Sequence, residues 1–89
     1  MTEDIASGWN GWKYDGIFYV KEVEHKGHRI VARYRLGMVE GSYVWEVELD
    51  GKDVKRGDSY AGPDFARIAA GDVLVGTIMK IDKEERAKS

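Results

Sequence analysis

The segment from Arg29 to Asp50 constrains the fold of this chain more than any other, because it alternates apolar and polar residues twice in succession. Ile30, Ala32, Tyr34 and Leu36 point one way, while Arg29, Arg33 and Arg35, with Val31, point the other. After the loop Gly37 to Ser42, Tyr43, Trp45, Val47 and Leu49 line one face, and Val44, Glu46, Glu48 and Asp50 the other. A period of two sustained this long specifies half-buried strands, and a short connection specifies that the two strands are antiparallel neighbours.

Pairing Leu36 with Tyr43 puts Tyr34 opposite Trp45, Ala32 opposite Val47 and Ile30 opposite Leu49 on the apolar face. On the polar face it puts Arg33 opposite Glu46 and Arg29 opposite Asp50. Residues 11–36 hold six basic and three acidic side chains, and residues 37–64 three basic and seven acidic. The pairing therefore brings a basic block and an acidic block together as a cross-strand ladder, which selects the register more than it stabilises the sheet.

The flanking segments extend the pattern. Asp50-Gly51 is a two-residue hairpin signal, since a type I′ turn requires positive φ at both central residues, and a short strand over 53–60 is predicted to follow. Upstream, Ile17 to Glu24 is rich in β-branched and aromatic residues and is followed by a glycine turn, His25-Lys26-Gly27-His28. Gly62-Pro63-Asp64 then reads as a helix start: a cap, a first helical proline and an acid in the first turn.

Two readings of the C-terminal segment stand side by side. A single helix over 63–86 would align Ala66, Ala69, Ala70, Val73, Thr77 and Ile81 on one face. Against it, Gly71 and Gly76 each cost about 1 kcal/mol in a helix interior, and Val73-Leu74-Val75 with Thr77-Ile78 has the composition of a strand, so a short helix and then a strand over 72–82 is the other reading. The expected architecture is one α+β domain over 1–89. It comprises an irregular aromatic arm (1–16), a three- to four-stranded antiparallel β-meander (17–60) and a C-terminal helix packed on one face of the sheet.

Composition matters mainly for what it excludes. The chain has 89 residues, 43% hydrophobic and 34% charged, which suits one folded core and no second. Without cysteine it has neither disulfides nor thiolate metal sites. A net charge of -2 argues against a general nucleic-acid binder. Val73 to Met79, the longest apolar run without charge, is far too short to cross a bilayer. The opening Met-Thr-Glu-Asp-Ile-Ala-Ser lacks the basic and apolar regions of a secretory signal, so the expected location is the cytoplasm.

Motifs for chemistry are sparse. Glu22, Glu24, His25 and His28 contain a His-x-x-His pair that zinc could use, but a closed site needs three or four converging ligands, and imidazoles beside a Lys-Gly turn read more simply as solvated hairpin residues. No serine lies in a nucleophile elbow, no glycines form a phosphate loop, and the acids of the 43–50 strand lie beside basic neighbours rather than in divergent environments. Arg56-Gly57-Asp58 matches a cell-adhesion tripeptide, in a chain that opens without an export signal. No enzyme, metal or cofactor is expected.

The residues best suited to a partner are Trp9, Trp12 and Tyr14 in the arm, since tryptophan is enriched among interface anchors, and the arginines Arg29, Arg33 and Arg35. The competing role for the arm is to cover the open end of the core. The stretch Tyr43-Val-Trp-Glu-Val-Glu-Leu-Asp-Gly-Lys-Asp-Val-Lys-Arg-Gly, with Ala66, Ala69 and Ala70 beyond it, resembles the β-β-α pattern of small phage and prophage proteins, some of them anti-CRISPR proteins. More distantly, the chain resembles the β-β-β-α part of a double-stranded-RNA-binding domain; that family's first helix is missing, and Gly-Pro-Asp-Phe stands where its basic cluster would be.

The expected function is that of a small non-enzymatic protein, monomer or homodimer, that binds another protein; the first resemblance implies inhibition of a host defence complex. The alternatives are a nucleic-acid-binding sheet and a protein that sequesters a small ligand or nucleotide. The latter needs a concave pocket, under the arm or at a dimer interface.

Overall fold

Across 30–36 and 43–49 the chain pairs as the alternation requires: Leu36 with Tyr43, Tyr34 with Trp45, Arg33 with Glu46, Ala32 with Val47 and Ile30 with Leu49. The computed structural model describes residues 12–88. It consists of strands β1 (Trp12–Tyr14), β2 (Tyr19–His25), β3 (His28–Leu36), β4 (Tyr43–Leu49) and β5 (Lys52–Ser59) and the helix α1 (Pro63–Lys88). Every strand pairs antiparallel with the next, in the spatial order β1-β2-β3-β4-β5, and the helix packs on one face. The sheet thus has five strands where three to four were expected.

The added strand is β1. Trp12 to Tyr14, assigned by sequence to an irregular arm, pairs with Tyr19 to Lys21 of β2. Three residues are too few to show a period, and the strand is recognisable only through its partner. Trp9 and the rest of residues 1–11 lie outside the described residues.

Both two-residue turns have the backbone that their glycines predict. Lys26 and Gly27 have φ of 52° and 83°, and Asp50 and Gly51 of 53° and 87°. Between Val47 and Glu48 the β4–β5 register slips, because Val47 faces Lys55 whereas Glu48 faces Asp53. The residue left over is Val54, which is exposed.

Residues 63–88 form one helix, so of the two readings the strand over 72–82 is not formed. What outweighs the two glycines is burial: Ala66, Ala70, Leu74, Thr77 and Ile81 recur every three or four residues, and all lie against the sheet. Ala69 and Val73, expected on the same face, are partly buried at its margin. Small residues in the first two turns let the helix lie close on β3 and β4, with a lighter contact on β5.

The core between the layers comprises Ile30, Ala32, Tyr34, Trp45 and Val47 from the sheet and Ala66, Ala70, Leu74 and Ile81 from the helix. Tyr34 is fully buried, stacked on Tyr19 at 5.0 Å and met edge-on by Trp12 at 5.1 Å. No helix among the described residues is long and apolar enough to cross a membrane.

Candidate protein-docking surface

An antiparallel meander sends alternate connections to opposite ends of its sheet, and here the two ends differ in chemistry. The β2–β3 and β4–β5 turns share one end, which is polar. Asp50 holds it together: its Oδ1 accepts from Arg29 N at 2.9 Å, its Oδ2 meets His28 Nδ1 at 2.7 Å, and its own N–H donates to Arg29 O at 2.8 Å. The Arg29 N–H and the His28 imidazole hold the Asp50 carboxyl below its ordinary pKa. Asp82 near the end of α1 meets His25 Nε2 at 2.7 Å and Lys26 Nζ at 2.9 Å, and these two partners depress its pKa in turn.

The β1–β2 loop, the β3–β4 loop and the β5–α1 connection share the other end, which carries the acids Asp15, Glu40 and Asp64 but also a set of large exposed apolar side chains. Tyr14 and Ile17 come from the first, Leu36, Met38 and Val39 from the second, and Tyr60 from the third; every one of them is exposed, Ile17 at 67% and Met38 at 97%. Both loops are internally braced. Asp15 Oδ1 accepts from Ile17 N at 2.9 Å and from Phe18 N at 2.7 Å, bonds that lower its pKa, while Asp15 N donates to Phe18 O at 2.9 Å. Tyr14 OH donates to Gly16 O at 2.9 Å.

In the β3–β4 loop the buried Ser42 donates from Oγ to Val39 O at 2.6 Å and from its N–H to the same oxygen at 2.9 Å, and Gly37 N donates to Ser42 O at 2.8 Å. A Cβ on Gly37 would lie 2.3 Å from Ser42 Oγ, so the glycine is what allows this closure. Apolar tips held on hydrogen-bonded loops lose little conformational freedom on docking, which lowers the cost of association.

On the uncovered sheet face beside this end, Phe18 lies under two guanidinium groups, Arg33 at 5.9 Å and Arg35 at 5.7 Å. Arg33 is also gripped by Glu46 and by both oxygens of Glu48, at 3.1 and 3.0 Å. Arg29 pairs with Glu22 rather than through its side chain with Asp50, whose contact is with the Arg29 backbone. Carboxylates thus neutralise two of the three candidate arginines and raise their pKa values. Arg35, by contrast, donates to Leu36 O at 3.0 Å and has no carboxylate partner among the described residues.

The candidate binding residues therefore separate. Tyr14 and Arg35 flank the apolar end. Trp12 faces inward on Tyr34, in the covering role. Arg29 and Arg33 belong to the charge ladder. Sequence reasoning missed Ile17, Leu36, Met38, Val39 and Tyr60, which are unremarkable one by one; the available signal was that loops one and three of a meander share an end.

Other motifs resolve into structural roles. His25 and His28 take different carboxylates, and no group of three or more metal-ligating side chains occurs among the described residues. Arg56-Gly57-Asp58 lies inside β5 rather than at a loop tip, and Gly57 sits against the Trp45 indole. Compared with known proteins, the chain matches no family model, no curated protein and no solved structure.

Proposed function

We propose that this protein is a small non-enzymatic binding protein of the cytoplasm that docks on another protein through the apolar end of its sheet. The observation that carries the reading is the segregation of Tyr14, Ile17, Leu36, Met38, Val39 and Tyr60 to one end, on loops that hydrogen bonds hold in place. Grouped exposed apolar side chains mark interaction surfaces, and arginine, here the adjacent Arg35, is enriched among interface anchors. Inhibition of a host defence complex, the role implied by the β-β-α resemblance, is the narrower form of this proposal.

Nucleic-acid binding draws less support, since Arg29 and Arg33 face carboxylates that a phosphate would have to displace. Ligand sequestration draws less as well: the depression lined by Lys13, Asp15, Val20, Glu22 and Glu24 is an open trough of mixed charge.

The test compares proteins captured by the wild-type chain with those captured by an Ile17→Asp/Met38→Asp variant, after both are shown to have equal helicity and melting temperature. A partner held by the wild type and lost by the variant is the expected result. Identical captures, or none by either chain, refute the reading.

A further inference from the structure

The meander leaves one long strand edge open. β5 pairs with β4 on one side and, among the described residues, with no strand on the other, whereas β1 at the opposite edge is only three residues long. An open edge presents a row of unpaired N–H and C=O groups, and what pairs with such a row is another extended backbone. The bulge at Val54 interrupts the row near the turn, so the regular part of the edge is 55–59.

One flank of the helix overlooks this edge. Asp82 meets His25 and Lys26 at the β2–β3 turn, so the flank of α1 that carries Asp82 turns toward β2. Ala69, Val73 and Lys80 recur at helical spacing on the opposite flank, which therefore turns toward β5, the strand on which the helix rests lightly. Ala69 and Val73 are partly buried there. Below them Gly57 gives the edge strand a bare backbone, and the Trp45 indole lies against it, with Nε1 3.1 Å from the point a Cβ would take. The corner between helix and edge thus has an indole at its base and small apolar side chains on its wall.

Charge selects what the extended segment is. Lys52 and Lys55 stand opposite Leu49 and Val47, so both lie on the helix side of the sheet. Lys80 and Lys83 come from the last turns of α1, at the same end of the sheet. None of these four lysines meets a carboxylate among the described residues. The acids on this side are Asp72 and Glu84. Asp53 and Asp58 stand opposite Glu48 and Val44 and belong to the other face, and Asp82 is taken by His25 and Lys26. Four cations against two acids leave the corner basic.

We infer that this corner takes an acidic, extended segment of a partner protein, which pairs backbone to backbone with residues 55–59 as a sixth strand beside the flank of α1. The side chain opposite Gly57 rests on the Trp45 indole, and carboxylates toward the β4–β5 turn meet the lysines. A depression at Gly76, lined by Met79, Lys80 and Lys83, continues the site along the helix. The lysines gather at the end of the sheet away from the apolar loops, so the inference does not depend on the docking reading given above.

The probe is a capped eight-residue peptide, Glu-Thr-Glu-Val-Val-Glu-Thr-Glu, titrated into the full 15N-labelled chain. Saturable binding below about 1 mM is expected, with amide shifts and slowed hydrogen exchange gathered at 55–59. Lys52→Glu/Lys55→Glu, both at exposed positions, should weaken binding at least tenfold with an unchanged circular dichroism spectrum. The same peptide with prolines in place of both valines keeps every charge but cannot complete the ladder, and should also bind at least tenfold more weakly.

No binding at 1 mM overturns the inference. Equal binding of the proline peptide overturns it as well, because the contact is then one of charge alone. So do shifts centred on Ile17 and Met38, which place the peptide at the loop end, and shifts at 55–59 that grow with the concentration of the chain alone, which assign the edge to a second copy.

Discussion

Two Gly→Ala substitutions should move stability in opposite directions. Gly57 lies on the edge strand opposite Trp45, and a Cβ there would sit 2.7 Å from indole Cζ2, 2.9 Å from Cε2 and 3.1 Å from Nε1. Ordinary contact begins near 3.4 Å, so ring or strand must give way by several tenths of an ångström. The ring is rigid and only 8% exposed, wedged into the core, which leaves little room to retreat.

Overpacking of this kind costs about 1–3 kcal/mol, against a gain of roughly 0.5–1 kcal/mol from removing a strand glycine. Gly57→Ala should therefore destabilise the fold by about 1–2 kcal/mol, lowering the melting temperature of a domain this size by roughly 4–15 °C. Gly71→Ala, with open space at its Cβ, should stabilise by about 1 kcal/mol and raise the melting temperature by roughly 4–8 °C. Urea and thermal unfolding, followed by circular dichroism at concentrations where the chain is monomeric, measure both.

A smaller ring at position 45 supplies the internal control. In a Trp45→Phe background the sensitivity to Gly57→Ala should fall, giving a coupling of about 1 kcal/mol in a double-mutant cycle. A Gly57→Ala protein as stable as the wild type, or more stable, or an absence of coupling to position 45, refutes the reasoning.

Two further outcomes follow from the core and from the polar end. The Tyr34 hydroxyl is buried without a hydrogen-bond partner among the described residues, and burial pushes its pKa up to about 12; Tyr34→Phe should therefore be neutral or stabilising by about 1 kcal/mol in urea unfolding, and a loss above that would reveal a partner for the hydroxyl. Asp50 and Asp82 have folded pKa values below their unfolded ones, so their contribution is complete above the unfolded carboxylate range and is lost as pH falls through the folded values. An acid series of urea midpoints should fall below about pH 4 in the wild type and fall less in Asp50→Asn/Asp82→Asn, and equal slopes would contradict this.

The β3–β4 register was legible because two independent signals agreed, the apolar alternation and the Arg33–Glu46 apposition, and the Asp50-Gly51 turn was legible because few dipeptides tolerate its backbone. The helix was ambiguous for a physical reason. Val75 and Met79 face solvent while Leu74 and Ile81 face the core, so apolar residues occur around the circumference and the 3.6-residue period is blurred into what reads as a strand. β1 escaped notice because three residues are too few to show a period, although its rings meet others in the fold, Trp12 on Tyr34 and Tyr14 on Tyr19. The apolar end was invisible in the linear chain, where Ile17, Met38 and Tyr60 are far apart and each looks like an ordinary loop residue; it emerges only when the meander's connections are sorted by end.

The clamp between Asp82 and the β2–β3 turn has a consequence in time. Every strand pair in this sheet is a neighbour along the chain, so each hairpin can zip over a short loop with little entropy lost to closure. The contact of His25 with Asp82 spans 57 residues and can form only when the last element lies down across the finished sheet. Folding is therefore expected to be fast and helix docking late, so that Asp82→Asn accelerates unfolding and leaves the refolding rate nearly unchanged. The tie between the β2–β3 turn and the helix would then act as a latch whose strength sets the lifetime of the native state.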